Sequence, residues 1–227
     1  MTRYGIIMKA FALLSGGKDS FLSAQLAMEQ GYEIEGAISV IPGEFSMMFH
    51  YPNAARAKLV AELLGVEWIP VPESNVFENI AKMCRGRVDA LISGAIASDY
   101  QKTRIEKMCT EVGIISYSPL WRKSQKRILE EIIMRGIQAI IVSVSAEGFD
   151  MNDLGRLLDS EYVSELERKN SKYGINMAGE GGEYETFVLG TKHGKLLEIK
   201  KSRKIWEGSH GYLLIDDAIV SRHPPVP

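Results

Sequence analysis

A short glycine-bearing segment near the N-terminus carries residue types that bind phosphate. It reads Ser15, Gly16, Gly17, Lys18, Asp19, Ser20. The segment follows the apolar run 10–14 and precedes a helix-like stretch over 21–30, so it is predicted to be a turn between a buried strand and a helix. The first turn of a helix has unpaired backbone N–H groups and partial positive charge, and glycines let an oxyanion approach closely. The turn is therefore predicted to bind phosphate, with serine hydroxyls and the Lys18 ammonium as further donors and Asp19 as a magnesium ligand.

The glycine spacing separates this turn from two common nucleotide loops. A Walker A loop needs G-x-x-x-x-G-K-[ST] and a dinucleotide fingerprint needs G-x-G-x-x-G, whereas the two glycines here are adjacent. The string SGGKDS after a hydrophobic strand resembles the pyrophosphate-binding loop of the ATP pyrophosphatase superfamily. That resemblance implies cleavage of ATP between its α and β phosphates and adenylation of a carboxyl or carbonyl oxygen. A plain turn with a helix cap is the alternative, because Ser, Gly and Asp all favour turns.

Two further strings contain candidate site residues. The string SGAIASDYQ, residues 93–101, places Asp99 at the start of a predicted helix, with Arg104 one turn further on. The string GEGGEYET, residues 179–186, carries glutamates at 180, 183 and 185. Carboxylates that close repel one another, and glycines lose entropy on ordering, so this loop suggests a magnesium site, ammonium binding or a cationic substrate. A solvated acidic turn is the alternative.

Strand and helix patterns alternate through the first half of the chain. Strands are predicted over 10–14, 33–41, 67–71, 88–93 and 114–117, and helices over 21–30, 52–64, 76–85 and 98–112. This alternation builds a parallel sheet with helices on both faces, and ligands of such sheets lie at the carboxyl ends of the strands. The SGGKDS turn and Gly94 are therefore expected to face the same crevice.

The pattern changes after Trp121. Helices are predicted over 124–135 and 154–170, and strands over 138–144, 186–189, 196–205 and 212–220, the later ones antiparallel. We expect a smaller α+β domain, with residues 1–121 forming the nucleotide-binding domain and 122–227 a substrate-binding domain.

Composition limits the class of protein. The chain has 227 residues, 45% of them hydrophobic, and a formal net charge of -2, which argues against a protein that mainly grips nucleic acid. It has no apolar run that could span a bilayer and no signal-peptide pattern, so we expect a cytoplasmic protein with no membrane association. Cys84 and Cys109 form no metal-binding pattern and are expected to be buried on helices. Met8 is an alternative start.

Four strings in order, SGGKDS, SGAIASDYQKTRIEKMC, PLW and GEGGEYETF, resemble the diphthine–ammonia ligase family. The resemblance runs from about residue 10 to about residue 189. It implies a Rossmann-like (HUP-type) nucleotide domain with a small C-terminal domain, and an enzyme that completes diphthamide on elongation factor 2. The implied ligands are ATP, Mg²⁺, ammonium and the diphthine-bearing elongation factor, and homo-oligomerisation stays open.

The chain departs from that family in two respects. Ala178 stands where family members often place a cysteine directly before GEGGEYET, which excludes a catalytic thiol there. The compact stretch between Ile41 and Pro52, with nothing after the C-terminal lobe, indicates a minimal, archaeal-type member.

The resemblance implies a mechanism and residue roles. ATP binds with its pyrophosphate on residues 15–20, the diphthine carboxylate attacks the α-phosphorus, and ammonia displaces AMP. Lys18, Asp19, Asp99 and Arg104 are the candidate catalytic residues, and Gly94 and His50 are expected at the nucleotide. The alternatives are that Asp99 belongs to a helix cap, that Arg104 is a surface residue and that His50 is packed between its aromatic neighbours. Substrate binding is expected of Glu180, Glu183, Tyr184, Glu185 and Thr186, with the tyrosine ring facing a cation. Two alternatives stay open, a tRNA-modifying adenylating enzyme of the same superfamily and a non-catalytic ATP-binding regulator.

Overall fold

Two β-sheets organise the computed structural model, which describes residues 7–43 and 53–222. The first sheet has five parallel strands in the order β3-β2-β1-β4-β5. Its elements in chain order are β1 (Met8–Leu13), α1 (Lys18–Glu29), β2 (Tyr32–Ile41), a 3₁₀ turn (Ala54–Arg56), α2 (Ala57–Leu64), β3 (Trp68–Pro72), α3 (Val76–Cys84), β4 (Ala90–Ile92), α4 (Asp99–Val112) and β5 (Ile115–Tyr117). The predicted Rossmann-like α/β architecture is confirmed.

The central strand β1 explains the position of the phosphate turn. Its residues Ala10, Phe11 and Ala12 are buried because β1 pairs with β2 on one side and β4 on the other. The chain order therefore reverses between β1 and β4, which opens a crevice at their carboxyl ends. Residues 14–17 leave β1 at this crevice, and α1 begins there at Lys18.

The second sheet has four antiparallel strands that close into a ring in the order β6-β7-β8-β9. Its elements are α5 (Gln125–Met134), β6 (Ile137–Val144), α6 (Ser160–Tyr173), β7 (Tyr184–Thr191), β8 (Lys195–Glu207) and β9 (His210–Arg222). Helices α5 and α6 accompany the ring, so the predicted α+β character of this part is confirmed.

One apolar core joins the two sheets. Leu14 and Phe21 from the first part and Phe187 and Val188 of β7 belong to the same buried cluster. Helices α1 and α2 contact β7, and α2 also contacts β9. Burial of these side chains removes apolar surface from water and stabilises the fold by about 25 cal/mol per Å² of that surface. The phosphate turn is thereby held against the start of β7.

The helix predicted over 154–170 begins later than expected. Residues 151–155 form turns, Leu157 makes an isolated bridge to Ile140, and α6 starts only at Ser160. Asp159 caps it by accepting a hydrogen bond from the Tyr162 backbone N–H at 2.9 Å. Leu154 and Leu158 are buried, so their apolar spacing reflects burial in an irregular segment and not helix.

Helix α2 also begins later than expected. The 3₁₀ turn precedes its first residue, Ala57, and Pro52 lies outside the described residues.

The cysteine expectation is confirmed. Cys84 on α3 and Cys109 on α4 are free and buried. Burial raises the pKa of the Cys84 thiol to about 12 and that of Cys109 to about 11. Separately, none of the helices over 7–43 and 53–222 has the length and apolarity needed to cross a bilayer.

Candidate functional site

The phosphate turn is shaped by its own serines. The Ser20 hydroxyl donates to the Gly17 carbonyl at 2.9 Å, and the Ser15 hydroxyl accepts from the Gly17 backbone N–H at 3.3 Å. Gly16 has φ +88°, a left-handed conformation that favours glycine. Within the described residues, the backbone N–H groups of Asp19 and Ser20 have no acceptor. The N-terminus of α1 therefore retains the unpaired donors that an anion site requires.

The acidic loop, residues 176–186, is ordered by its own glutamates and glycines. Glu183 accepts from the backbone N–H groups of Asn176 at 2.7 Å and Gly181 at 2.9 Å. Gly179 and Gly182 have φ of +76° and +82°, which the tight turns require. The backbone N–H groups thus supply the positive charge that the Glu183 carboxylate needs.

Two direct contacts join the acidic loop to the phosphate turn, and a third joins the following part of β7 to it. The Lys18 backbone N–H donates to the Thr186 hydroxyl at 3.0 Å, and the Lys18 ammonium donates to the Ala178 carbonyl at 2.6 Å. The Val188 backbone N–H donates to the Gly16 carbonyl at 2.9 Å. Two segments more than 150 residues apart in the chain therefore form one structural unit.

The segment 93–98 completes the unit. Glu180 accepts from the backbone N–H groups of Ile96 at 3.2 Å and Ala97 at 3.1 Å. Gly94 lies against the first turn of α1, where a Cβ would come within 2.8 Å of the Ser20 nitrogen. The structure thus gives Gly94 a packing role, because α1 occupies the space beside it.

A cleft of 210 Å³ lies between these segments. Of the sequence-predicted residues, those lining it are Ser15, Gly17, Lys18, Asp19, Glu180, Tyr184, Glu185 and Thr186. Gly16 and Ser20 shape the phosphate turn, and Glu183 shapes the acidic loop. The structure therefore brings the SGGKDS and GEGGEYET motifs to one cavity.

Two predicted catalytic residues lie outside the cleft lining. Asp99 is exposed and accepts from one guanidinium nitrogen of Arg122 through both of its carboxylate oxygens, at 2.8 and 2.9 Å. The exposed Arg104 guanidinium bonds the Tyr100 hydroxyl and lies 4.6 Å from the Phe77 ring centroid. Their helix reaches the cleft through Gln101 instead. His50 lies outside the described residues.

Charges at the base of the cleft are tightly packed. Lys18 is 3% exposed, and burial acts to lower its pKa. The Asp19 carboxylate, with smaller contributions from Tyr184 and Glu180, outweighs burial, so the net pKa is raised and the ammonium is charged. Burial raises the pKa of Tyr184 to about 12, and its hydroxyl donates to the Met177 carbonyl at 2.6 Å. The Tyr184 ring already faces a cation, because the Lys18 nitrogen lies 5.1 Å from its centroid.

Asp19 fits a role as a metal ligand. Its Oδ2 accepts from the Lys18 ammonium at 2.8 Å, while its Oδ1 is buried without a partner among the described residues. An orphaned carboxylate oxygen at a phosphate turn is suited to Mg²⁺, which commonly uses one or two carboxylates with substrate phosphates and water. Residues 7–43 and 53–222 contain no cluster of three His, Cys, Asp or Glu that would hold a metal alone.

Sequence reasoning missed two residues that build the site. Asn176 accepts from the backbone N–H groups of Ala178 at 3.0 Å and Glu180 at 3.3 Å, which orders the entry to the acidic loop. Asn53 lines the cleft and bonds the β9 backbone at Leu213 and Ile215. An asparagine beside Gly174 or before a helix indicates a turn, so only its position could have been anticipated.

Comparison with known proteins places the chain in a family. A model described as the diphthamide synthase N-terminal domain matches residues 8–116, and one described as the diphthamide synthase C-terminal domain matches 124–220. The chain is 32% identical over 213 residues to the diphthine–ammonia ligase of Bos taurus, with 80% of this chain and 79% of that protein covered. It is 31% identical over 216 residues to that of Homo sapiens, with the same coverage. The protein of that name in Schizosaccharomyces pombe is 30% identical over 230 residues. The match covers 90% of this chain but only 38% of the length of the yeast protein. With both halves of the cleft inside the matched regions, the chain belongs to the diphthine–ammonia ligase family.

Proposed function

We propose that the chain catalyses ATP-dependent amidation of the diphthine carboxylate on elongation factor 2, a C–N bond-forming ligase reaction that completes diphthamide. The observation that carries the proposal is the single cleft built from the phosphate turn and the acidic loop. The Lys18–Thr186 hydrogen bond joins these two motifs, which lie inside the regions that the two family models match. Proteins to which the chain is similar are named diphthine–ammonia ligases. We place the protein in the cytoplasm, where elongation factor 2 acts.

Activation of a carboxylate explains the need for ATP. Ammonia does not displace oxide from a carboxylate, so the oxygen must first leave as part of a better leaving group. The diphthine carboxylate attacks the α-phosphorus, the bond from the α-phosphorus to the bridging oxygen breaks, and pyrophosphate leaves. Ammonia then attacks the acyl carbon of the acyl-adenylate, loses a proton, and displaces AMP.

The phosphate turn supplies the electrostatic part of this chemistry. The N–H groups of Asp19 and Ser20, which have no acceptor in the part of the chain that the structure describes, belong to the first turn of α1, where partial positive charge would stabilise the departing pyrophosphate. Phosphoryl transfer leaves little covalent work to side chains, so orientation and fixed dipoles provide most of the rate gain.

Magnesium fits this site through Asp19. Its orphaned Oδ1 and the phosphates are suitable ligands, and bound Mg²⁺ would neutralise charge on the phosphate oxygens. Asp19 itself is held in place by the Lys18 ammonium at 2.8 Å.

The acidic loop provides the substrate side of the cleft. Glu180 and Glu183 each accept two backbone N–H bonds, so we assign them to loop architecture and not to ammonium binding. Glu185 lines the cavity beside Thr186 and is the glutamate we assign to the cationic part of diphthine. On this view residues 1–121 bind the nucleotide and 122–227 bind the substrate.

The test is a reaction of the protein with ATP, Mg²⁺, ammonium and elongation factor 2 carrying diphthine. We expect AMP and pyrophosphate in equal amounts, both dependent on the elongation factor, and replacement of a hydroxyl by an amine in its mass spectrum. ATP binding without AMP formation would instead indicate a regulator. AMP formation that requires tRNA in place of the elongation factor would indicate the tRNA-modifying alternative.

A further inference from the structure

Lys18 is held by protein groups. Its ammonium donates to the Ala178 carbonyl at 2.6 Å and to Asp19 Oδ2 at 2.8 Å, and it lies 5.1 Å from the Tyr184 ring centroid. The side chain is 3% exposed. Two oxygen acceptors and a ring face satisfy the ammonium inside the protein, which leaves little reason for it to reach outwards to a phosphate.

The same residue contacts both ends of the acidic loop. Its side chain binds the Ala178 carbonyl where the loop begins, and its backbone N–H donates to the Thr186 hydroxyl where the loop runs into β7. Thr186 is 8% exposed, so this second contact is also buried. One residue in the first turn of α1 therefore fixes residues 178–186 at two points.

The contact between the Lys18 ammonium and Asp19 determines which carboxylate oxygen of Asp19 is left for a ligand. Oδ2 of Asp19 is engaged by the ammonium, whereas Oδ1 has no partner in the part of the chain that the structure describes. The ion pair thus selects which carboxylate oxygen is presented to a ligand. A shift of the lysine would release both the carboxylate and the loop.

We infer that Lys18 is a positioning residue, which fixes the acidic loop and the Asp19 carboxylate relative to the phosphate turn, and is not itself a ligand of the ATP phosphates. The inference rests on the proposed function only in placing ATP at residues 15–20. It assigns to this lysine the coupling between the nucleotide and substrate halves of the cleft.

The test compares Lys18→Met with the wild-type protein by two measurements. Hydrogen exchange of the backbone amides of 178–182 is followed without nucleotide, and binding of α,β-methylene-ATP is followed by calorimetry with and without Mg²⁺. Loss of the tether should speed exchange by about tenfold or more, because local opening then costs less. Without Mg²⁺, where the Asp19 carboxylate holds no metal, nucleotide affinity should change by less than about threefold, because no phosphate contact is lost.

Lys18→Gln separates tethering from charge and also serves if the Met variant does not fold. A glutamine amide can still donate to the Ala178 carbonyl, so loop exchange should stay closer to the wild-type rate. If Lys18 bound a phosphate of the nucleotide, the affinity for the nucleotide would fall equally in both variants. The matched control is Lys102→Met, since Lys102 likewise pairs with a carboxylate, that of Glu106, and lies 5.7 Å from an aromatic ring centroid, that of Trp121. It should leave exchange of 178–182 unchanged.

Two results would overturn the inference. One is a large loss of nucleotide affinity in Lys18→Met with wild-type exchange of the loop, the behaviour of a phosphate ligand. The other is equal exchange rates in the wild type and in Lys18→Met. If the wild type fails to bind the ATP analogue, the proposed function fails, while the exchange comparison still decides whether the tether exists.

Discussion

Replacing Gly94 by alanine tests whether close packing of the segment after β4 against α1 holds the phosphate turn in place. An alanine Cβ would lie 2.8 Å from the Ser20 nitrogen, 2.9 Å from the Asp19 carbonyl carbon and 3.0 Å from the Ser20 Cα. All three are backbone atoms, so no side-chain rotation can relieve the contact. The first turn of α1 must move instead.

The size of the movement follows from these distances. Ordinary contact begins at 3.4 Å, so the Ser20 nitrogen must retreat by about 0.6 Å. Overpacking of this kind costs about 1–3 kcal/mol in the free energy of unfolding. Misplacement of a catalytic group by 1 Å costs about a hundredfold in rate, so we expect kcat/KM for ATP to fall by at least about tenfold.

Two assays and a control measure the effect. Urea unfolding gives the free energy of unfolding, and pyrophosphate release with diphthine-bearing elongation factor 2 gives kcat/KM. Gly43→Ala is the control for stability, because a Cβ there meets no atom of residues 7–43 and 53–222 within 4 Å and its φ lies outside the left-handed region. Its free energy of unfolding should change by less than about 0.5 kcal/mol.

The result that would refute the reasoning is a Gly94→Ala protein with unchanged stability and unchanged turnover. Loss of stability with normal turnover would confirm the packing contact but would show that the position of the first turn does not limit the reaction. Gly94→Ser extends the test, since its larger side chain should deepen both losses.

Three further predictions concern a ligand, a buried ion pair and pH. Asp19→Asn should lower pyrophosphate release by at least about a hundredfold while the protein stays folded, as circular dichroism would show, because the orphaned oxygen loses its charge. Normal turnover would refute the metal assignment. Lys169→Met leaves the buried Asp153 carboxylate without its ammonium at 2.9 Å and should cost about 3 kcal/mol in urea unfolding, with KM for ATP unchanged. In the folded protein the pKa of the Cys84 thiol is raised to about 12 and that of Cys109 to about 11, against 9.0 for an unfolded thiol. The two thiols therefore contribute their full stabilisation below pH 9, and this contribution is lost as the pH rises from 9 towards the folded-state pKa values. Alanine at both positions should flatten this alkaline fall, measured by urea unfolding under reducing conditions.

The first sheet could be predicted from the sequence because its information is local. Each strand is a short apolar run, and glycines or prolines separate the runs from amphipathic helices. Burial on both faces, as at Ala10 and Phe11, requires such continuous apolar runs. Right-handed crossovers then place helices on both faces of the sheet, whereas the order of the strands, with the phosphate turn at its reversal, comes from the structure.

The start of α6 could not be predicted from apolar spacing alone. Leu154 and Leu158 are four residues apart, which matches a helix, yet both are buried in a turn-rich segment before Ser160. The cap at Asp159 is the better indicator of the helix start, because its carboxylate accepts a hydrogen bond from the backbone N–H of Tyr162 in the first turn. The start of α6 is therefore set by this local hydrogen bond and not by the spacing of apolar residues.

The convergence of SGGKDS and GEGGEYET was predictable only through the family resemblance. Residues 18 and 178 meet because β7 packs against α1 through Phe187, and apolar packing between distant segments has no local sequence pattern. The orientations of Asp99 and Arg104 were equally hidden. Their partners, Arg122 and Tyr100, are set by the turn after β5 and by the helix face.

The acidic loop illustrates why charge counted along a sequence can mislead about ligands. Three glutamates in six residues suggested a missing cation, but backbone N–H groups are also positive partial charges. Glycines at 179 and 182 adopt left-handed conformations and aid the tight turns of the loop, and Glu180 and Glu183 use two N–H groups each. Two of the three glutamates therefore have their charge balanced by backbone N–H groups within the protein. The glycines together with Glu180 and Glu183 stiffen the substrate side of the cleft, and a cation is not needed to explain the presence of these two glutamates in one loop.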